Sequence, residues 1–461
     1  MNYDLILSKI KPTEEEVVQN KKIASEIIDF LNLICKEEKI PGEALLVGSV
    51  AKETFLTGKS DIDIFISFPL DTPTSYLKEK GLYLGYKASE KFNGKASEHY
   101  ASHPYLTSEI EGFKIDFVPC YKIANSSQIK SAVDRTILHT KYITENISEK
   151  QKDEVILLKK FMSETKTYGS EYKVGGFAGY LCELLILKYN TFENLLKEVS
   201  NWKYGTVIDL ESFGTSKLFK DPLITIDPTD KNRNVAAALR LETLSDFIIS
   251  ARNYLNSSDN EKTLYFDELN KNISLNEIKS QFIQRESKTF IINFKTPDVV
   301  SDSLHPQLKK TVDSISEKLE REEFSLFKSD YWTDEEEIAI FIFEMEVYRL
   351  NNIKIHYGPK IFAKKACEQF ENAHGKDKCY PLNDFLVLNV ERQFKTFNEF
   401  INFILTSENS HIIKIGKNIK DNLINSYELL DLDEYLNNYP INDNFINFLD
   451  DFLNPGQYLK R

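Results

Sequence analysis

Two aspartates separated by a single residue are the groups in this chain whose spacing points most directly to chemistry. Asp61 and Asp63 interrupt an apolar run over residues 61–67 that alternates like a β-strand. Because residues two apart in a strand point to the same side, the two carboxylates share one face while the isoleucines face the core. Carboxylates this close repel each other unless a cation lies between them, and oxygen ligands of this kind suit Mg²⁺.

A third aspartate, Asp116, lies alone in a second strand-like run over residues 114–119. If the two strands pair, three carboxylates converge into a site for two ions roughly 3.5–4 Å apart. One ion of such a pair activates an attacking oxygen, and the other stabilises a leaving oxygen in an in-line phosphoryl displacement. Each motif alone is common by chance, but three acids inside otherwise apolar strands are costly to bury unless they serve a site. The set therefore predicts metal-assisted nucleotidyl transfer.

A Gly-Ser pair precedes the first two aspartates. Gly48 has no Cβ, so a phosphate can approach the backbone at this position. The Ser49 hydroxyl and the amides that follow it can donate to that phosphate at the start of a short helix. The order of Gly-Ser, Asp-x-Asp and a distant single Asp is the order that nucleotidyl transfer needs.

The elements that position these residues follow from hydrophobic periodicity. A helix is predicted over residues 14–38, and strands are predicted over 44–47, 61–67 and 112–119. The Pro41-Gly42 pair separates the helix from the strands. A helix that leads into short strands in this way predicts a small α/β domain at the start of the chain.

Two further domains are indicated downstream. Residues 148–255 have mostly helical periodicity, and residues 289–347 follow a βαββ pattern. The whole chain is therefore predicted to be an α+β protein with three domains, which are residues 1–140, 141–256 and 257–461.

Composition limits the classes of function. The chain has 461 residues, with 71 acidic and 58 basic side chains and a formal net charge of −13. This balance is unfavourable for binding a polyanion, so any nucleic-acid surface must be local. The five scattered cysteines lack the pairing of a disulfide framework or a zinc site. With neither a signal-like start nor an apolar run of ~20 residues, the sequence predicts a soluble cytoplasmic protein without membrane contact.

Three longer stretches carry a family resemblance. Residues 115–139, 155–185 and 227–239 resemble, in order and spacing, the archaeal-type (class I) CCA-adding enzymes, which are tRNA nucleotidyltransferases of the nucleotidyltransferase superfamily. Weaker similarity continues to residue 392, so the resemblance covers nearly the full length. It implies, for the three predicted domains in order, a polymerase-beta-like nucleotidyltransferase head, a helical neck that recognises the nucleotide, and an α+β RNA-binding body with a ferredoxin- or RRM-like element and a tail.

The resemblance also implies roles for individual residues. Asp61, Asp63 and Asp116 would be catalytic and would bind Mg²⁺. The incoming CTP or ATP would be held by seven side chains, which are Ser49, Lys52, Thr136, His139, Lys159, Tyr168 and Arg233. The implied reaction adds C, C and A to the 3′ end of tRNA with release of pyrophosphate and without a template. The C-terminal third would bind the acceptor arm, and the oligomeric state stays open, with a homodimer as one option.

Several of these candidates have an ordinary structural alternative. Lys159 could be a solvated helix lysine, Tyr168 a core tyrosine and His139 a structural histidine. One position departs from the family pattern, because Lys52-Glu53 stands where Arg-Gly is usual. Lysine keeps the charge but lacks the bidentate fork, and Glu53 adds a negative charge near the phosphates, so weaker nucleotide binding is expected.

Three other functions compete with CCA addition. The first is a poly(A) polymerase or another terminal RNA nucleotidyltransferase on the same head, which would use ATP alone. The second is an enzyme that modifies a small molecule, which would have no use for a large C-terminal half with lysine-rich patches. The third is a catalytically silent RNA-binding protein, which would have no reason to keep three mutually repelling acids.

Overall fold

The structure is a computed structural model that describes residue 1 and residues 3–100, 104–269 and 273–460. The chain divides into two compact units. The first unit is Met1–Asn270 together with Gly456–Arg461, and the second unit is Lys271–Pro455.

The first unit combines helices with two sheets. Its helices are α1 (Asp4–Ile10), α2 (Glu14–Glu37), α3 (Gly48–Lys52), α4 (Thr74–Lys91), α5 (Arg135–Asn146), α6 (Glu149–Glu164), α7 (Gly179–Tyr189), α8 (Phe192–Val199), α9 (Leu241–Asn256) and α10 (Asp259–Leu264). Its strands are β1 (Glu43–Val47), β2 (Asp61–Phe68), β3 (Lys95–Tyr100), β4 (Pro104–Ile110), β5 (Phe113–Tyr121), β6 (Thr206–Asp209), β7 (Leu223–Asp227) and β8 (Asp230–Asn234).

A five-stranded sheet organises the first part of this unit, with the strand order β1-β2-β5-β4-β3. Strands β2 and β5 are parallel neighbours, and the other pairs are antiparallel. One face of the sheet is apolar, because Ile62, Ile64 and Ile66 are fully buried there in one core with side chains of α2 and α4. The alternating residues of β2 and β5 therefore lie on the opposite face, which is the face that carries Asp63 and Asp116.

Helix α5 packs on that opposite face. Its Ile137 contacts a small apolar cluster that contains Phe65 and Val118, each two residues beyond an aspartate on its strand. Helix α6 follows α5 directly and begins at a capping box, in which Ser148 and Gln151 satisfy each other's backbone N–H groups. The capping box fixes where α6 begins, with two residues between it and the end of α5.

The remaining helices of the first unit enclose an aromatic core. The fully buried ring of Phe161 on α6 has the rings of Phe192, Tyr254 and Tyr265 within 5.6 Å of its own centroid. A three-stranded sheet with the order β6-β7-β8 also lies in this region, which the helical periodicity did not predict.

The second unit is built on a four-stranded antiparallel sheet with the order β10-β11-β9-β15. Its strands are β9 (Lys288–Lys295), β10 (Ser325–Thr333), β11 (Ile338–Val347), β12 (Ile353–Lys360), β13 (Cys379–Leu382), β14 (Phe385–Glu391) and β15 (Glu428–Asp431). Its helices are α11 (Leu275–Gln284), α12 (Ser301–Arg321), α13 (Lys364–His374), α14 (Phe397–Ile404), α15 (Lys420–Ser426), α16 (Leu432–Asn438) and α17 (Asp443–Leu453).

The succession β9, α12, β10 and β11 confirms the predicted βαββ element. A separate three-stranded sheet, β12-β14-β13, follows it in the chain, with α13 packed against β12. Within the described parts of the chain, no helix combines the length and the apolar character that crossing a membrane requires.

The aromatic core of the first unit gives a stability prediction. Replacing Phe161 with alanine leaves a cavity among three aromatic rings, so Phe161→Ala is expected to lower the free energy of unfolding by about 3–5 kcal/mol. Val18→Ala is the control, because Val18 lies on α2 with 63% of its surface exposed, and it is expected to change stability by at most about 0.5 kcal/mol. Urea unfolding measures both variants, and equal effects would contradict the packing described here.

Candidate active site

The three candidate catalytic acids lie on neighbouring strands. Asp63 on β2 pairs directly with Asp116 on β5, and Asp61 pairs with Lys114. Neighbouring strands lie roughly 4.8 Å apart, and paired residues point to the same face of a sheet. The structure therefore brings Asp61, Asp63 and Asp116 together on the face opposite the isoleucine core.

The crowding of negative charge changes the proton affinity of these acids. Burial, together with the charges of Asp116 and Asp61, raises the pKa of Asp63 to about 7. Burial also raises the pKa of Asp116, although a hydrogen bond from Thr107 acts in the opposite direction. Carboxylates with raised pKa values that share one face are a donor set that a divalent cation stabilises, because its charge offsets their repulsion.

The two outer carboxylates also have protein partners. Thr107 donates its hydroxyl to Asp116 Oδ1 at 2.6 Å, and Lys114 Nζ lies 3.4 Å from Asp61 Oδ2. In keeping with these contacts, the described residues hold no group of three or more acidic, histidine or cysteine side chains already gathered as a closed metal-ligand cluster. The three acids therefore share one face of the sheet, while Asp116 accepts from Thr107 and Asp61 lies beside Lys114.

Gly48 is required by its contact with one of the acids. Its φ is +74°, and a Cβ built on it would lie 1.9 Å from Asp63 Oδ2. Its N–H donates to the Thr140 hydroxyl on α5 at 3.3 Å. The sequence predicted a glycine that admits phosphate, and the structure adds that any side chain here would collide with Asp63.

A buried glutamate holds two of the candidate phosphate-binding lysines. Lys52 Nζ lies 2.5 Å from Glu183 Oε2, and Lys159 Nζ lies 3.6 Å from Glu183 Oε1. Thr54 completes the group, because its hydroxyl donates to Glu183 at 2.7 Å and its carbonyl oxygen accepts from Lys159 at 2.8 Å. Glu183 has no exposed surface, and sequence reasoning gave it no role. The sequence did contain a signal for such a role: Glu183 is a single acid within an apolar helix, and a buried charge needs partners.

Burial and the attraction between opposite charges act on the pKa values of this group in opposite directions. Burial alone raises the pKa of Glu183, but the charges of Lys52 and Lys159 outweigh it and hold that pKa below its usual value. Burial lowers the pKa of Lys52, and Glu183 opposes that change. The carboxylate of Glu183 therefore stays ionised and fixes both ammonium groups in place.

Three of the predicted nucleotide-binding residues line one cleft. Ser49, Lys159 and Tyr168 surround a cavity of about 130 Å³, and its other lining residues are Phe55, Leu56, Lys59 and Ser163. Burial raises the pKa of Tyr168, which keeps its hydroxyl protonated as a donor. Sequence reasoning did not place Lys59 and Ser163 at this cleft, although Ser163 follows Lys159 by one helical turn on α6 and the spacing of the two predicts that they share a helix face.

A second buried carboxylate, Asp227 at the end of β7, holds two of the remaining candidates. Its Oδ2 lies 2.9 Å from His139 Nε2 and accepts from Arg233 Nη1 at 2.8 Å. The His139 ring is stacked on the ring of Tyr180, with centroids 3.9 Å apart. Burial lowers the pKa of His139, and its contact with Asp227 opposes that shift. The structure therefore brings His139 and Arg233 together through one acid.

Two residues that the sequence singled out stand apart from these groups. Thr136 lies in the first turn of α5, one turn before Thr140, and is half-buried. Glu53 has a left-handed backbone conformation with φ of +56° and forms ion pairs with Lys21 and, at 2.8 Å, with Lys152. Hydrogen bonds from Lys152 and Lys21 lower the pKa of Glu53, so its charge is already engaged by protein cations.

Comparison with known proteins gives matches along most of the chain. A nucleotidyltransferase domain model matches residues 27–139, a model for the second domain of tRNA nucleotidyltransferase matches residues 153–266, and a model for the C-terminal domain of CCA-adding enzyme matches residues 285–431.

Curated relatives match over similar lengths. A CCA-adding enzyme of Methanothermobacter thermautotrophicus is 42% identical over 100% of this chain and 99% of its own length. A CCA-adding enzyme of Methanosarcina barkeri is 35% identical over 92% of each chain. A third, from Methanocaldococcus jannaschii, is 38% identical over 80% of this chain and 83% of its own.

The collision at Gly48 gives the first prediction for this site. Gly48→Ala is expected to push the Asp63 carboxylate from its position and to abolish the binding of Mn²⁺, a paramagnetic probe for divalent cations, as measured by electron paramagnetic resonance. Gly58→Ala is a matched control, because Gly58 also has a positive φ of +68° but has no atom within 4 Å of the added Cβ. Both variants carry the backbone strain of a left-handed residue, about 1–2 kcal/mol. Retention of Mn²⁺ binding by Gly48→Ala would show that the contact with Asp63 does not matter.

The buried ion group gives the second prediction. Glu183→Gln leaves the Lys52 and Lys159 ammonium groups without their carboxylate, so it is expected to lower the free energy of unfolding by about 3–5 kcal/mol. Glu149→Gln is the control, since Glu149 pairs with Lys152 at 2.7 Å on the surface and should cost at most about 1 kcal/mol. Chemical denaturation compares the two variants, and a similar small loss in both would contradict the role given to Glu183.

Proposed function

Because the chain belongs to the family of CCA-adding enzymes, which are tRNA nucleotidyltransferases, we propose that it completes tRNA 3′ ends with Asp61, Asp63 and Asp116 as its catalytic acids. The family and the α+β fold with a nucleotidyltransferase head, both predicted from the sequence, are confirmed. The reaction adds C, C and A to the 3′ end of tRNA from CTP and ATP and releases pyrophosphate. The observation that carries the assignment of the acids is the direct pairing of Asp63 with Asp116 beside the Gly48 turn.

Membership of the nucleotidyltransferase family implies the use of divalent metal ions, and we propose that the ion is Mg²⁺. The three carboxylates fit such ions, because they offer hard oxygen ligands on one face and burial with mutual repulsion raises the pKa of Asp63. When bound, the ions would activate the terminal 3′-hydroxyl of the tRNA and neutralise the departing pyrophosphate.

The protein side chains then account for substrate placement. Ser49, Lys159 and Tyr168 around their common cleft would bind the triphosphate, and Lys52, fixed by Glu183, would add positive charge beside Asp63. The 3′-oxygen of tRNA attacks the α-phosphorus of the nucleotide while the bond to pyrophosphate breaks, so no side chain becomes covalently linked. Positioning and charge stabilisation therefore supply the catalysis.

Base recognition would fall to the other buried group. His139 and Arg233 lie together on Asp227, and α5 connects them to the catalytic turn, since His139 is next to Thr140, which accepts from Gly48. Thr136, one turn earlier on the same helix, would lie near the ribose or the phosphates. In this assignment residues 1–140 are the catalytic head and residues 141–256 contribute the nucleotide pocket.

Residues 257–461 would bind the acceptor arm of the tRNA. A-form RNA is recognised mainly through phosphates and 2′-hydroxyls, with stacking on aromatic side chains where bases are free. On β12, Tyr357 has 57% of its surface exposed, and the Lys360 side chain is 62% exposed. These side chains are suited to such contacts despite the negative net charge of the chain.

We also propose where the protein acts and in which oligomeric state. The scattered cysteines, free in the described residues, suit a reducing cytoplasm. A homodimer remains an expectation, and light scattering of the full chain together with tRNA tests it.

The activity is tested with tRNA that lacks its terminal trinucleotide. Incubation with labelled CTP and ATP in Mg²⁺ is expected to extend this tRNA by three nucleotides, as read on a sequencing gel. A long A tract would instead indicate a poly(A) polymerase, and the absence of any extension would indicate a silent RNA-binding protein. Chelation with EDTA should stop the extension, and added Mg²⁺ should restore it.

The catalytic acids are tested separately from the fold. Asp63→Asn keeps the size of the side chain but removes the charge that binds cations, so it is expected to reduce extension to the level without enzyme while the Kd for tRNA is unchanged. Asp71→Asn is the control, because Asp71 is exposed in the loop after β2. Filter binding measures the Kd, and persistent extension by Asp63→Asn would remove Asp63 from the catalytic set.

A further inference from the structure

Asp227 has no exposed surface and lies where two predicted nucleotide-binding side chains meet. We propose that Asp227 is a positioning residue that sets base selectivity, because it holds Arg233 and His139 in fixed orientations at the edge of the incoming base. This inference rests on the proposed function and identifies the residue that makes its pocket selective.

Both oxygens of Asp227 are fully used. Oδ2 contacts His139 and Arg233. Oδ1 accepts from the Thr229 N–H at 2.9 Å, from the Thr229 hydroxyl at 2.8 Å and from the Tyr180 hydroxyl at 3.2 Å. Such a set of hydrogen bonds leaves the carboxylate one orientation, so the groups that donate to it are fixed as well.

Asp227 holds the guanidinium of Arg233 at one end. Its Nη1 donates to Asp227, while the side chain as a whole remains 33% exposed. A guanidinium carries five N–H donors in a rigid plane and has no acceptor. With one nitrogen held by a buried acid, the orientation of the plane is set and its other donors are available to a ligand.

His139 is fixed at one nitrogen and on one ring face. Its Nε2 contacts a carboxylate that can only accept, because hydrogen bonds from His139 and Thr229 outweigh burial and hold the pKa of Asp227 below its usual value. The proton therefore resides on Nε2, and Nδ1 of the neutral ring is left as an acceptor. Stacking on Tyr180 keeps the ring in this plane.

The chemistry of the four bases shows what a fixed donor would select. At the central position of the Watson–Crick edge, cytosine (N3) and adenine (N1) present acceptors, whereas uracil (N3–H) and guanine (N1–H) present donors. A held N–H donor can bond to C and A but is left facing another donor with U or G, and unpaired polar groups in a site are strongly unfavourable. An arginine free to rotate could reach the neighbouring carbonyl oxygen of U or G instead.

The test is Asp227→Asn, measured by steady-state addition of single nucleotides to the tRNA substrate. Loss of the charged acceptor is expected to raise KM for CTP and for ATP about 10-fold or more, to change kcat much less, and to reduce the preference for CTP over UTP by a similar factor. A merely structural role would lower stability without changing the ratio of CTP to UTP use. Unchanged selectivity in folded Asp227→Asn would overturn the proposal.

Two further variants separate positioning from structure. Asp221→Asn is the matched control, because Asp221 accepts from Asn234 at 2.8 Å beside the same small sheet without touching Arg233 or His139, and it should keep wild-type selectivity. In Arg233→Ala, the added Asp227→Asn change should lower the preference for CTP less than it does in the wild type, because the guanidinium that Asp227 orients is already gone and only His139 is left to be released. Additive losses would contradict this route.

A milder variant covers the case in which Asp227→Asn fails to fold. Thr229→Val removes the hydroxyl that donates to Oδ1 and should lower the preference for CTP over UTP by a smaller factor; wild-type selectivity in this variant would then overturn the proposal. The proposed function fails separately, and only if the wild-type chain adds no CCA. If the wild type adds CCA and the variants keep its selectivity, the positioning role alone is wrong.

Discussion

Repulsion between like charges on adjacent parallel strands is the constraint on which this molecule depends. Asp63 and Asp116 are in register and Asp61 lies two residues away, so the pairing of β2 with β5 holds three negative charges close together. Such an arrangement is costly unless cations compensate it. The apolar core on the opposite face contains isoleucines of both strands, and their burial offsets that cost.

Two other acids of the first unit are also held among neighbouring charges, but their own charge is compensated by protein side chains. Glu183 and Asp227 are fully buried acids, and each is matched by side-chain cations or donors, namely Lys52 and Lys159 for the first and Arg233 with His139 for the second. The charges of Glu183 and Asp227 are thus compensated within the protein, whereas Asp61, Asp63 and Asp116 have fewer such partners and, in our proposal, take metal ions instead. Helix α5 links the two regions, because its Thr140 binds Gly48 and its His139 binds Asp227.

Local features of the fold could be predicted from the sequence, but contacts between side chains distant in the chain could not. Strict alternation identified β2 and β5, and helical periodicity identified α2 within one residue of its end. The pairing of Lys52 with Glu183 spans 131 residues, and no local pattern specifies which buried charges will meet. Strands β3, β4 and β6–β8 were not predicted, because several are short or polar and their apolar faces do not form a regular pattern. Helix α13 begins at Lys364, because the chain up to Lys360 is paired in β12.

The turn that follows Gly48 is held from two sides that differ in their exposure to solvent. On the inner side, Lys52 meets Glu183 where water is excluded. On the outer side, Glu53 meets Lys21 and Lys152, and its side chain is 28% exposed. Dissolved ions weaken ion pairs that solvent can reach, and they affect buried pairs far less. Rising ionic strength therefore weakens the ion pairs of Glu53 first, and the turn stays attached through Lys52 and Glu183 at high salt.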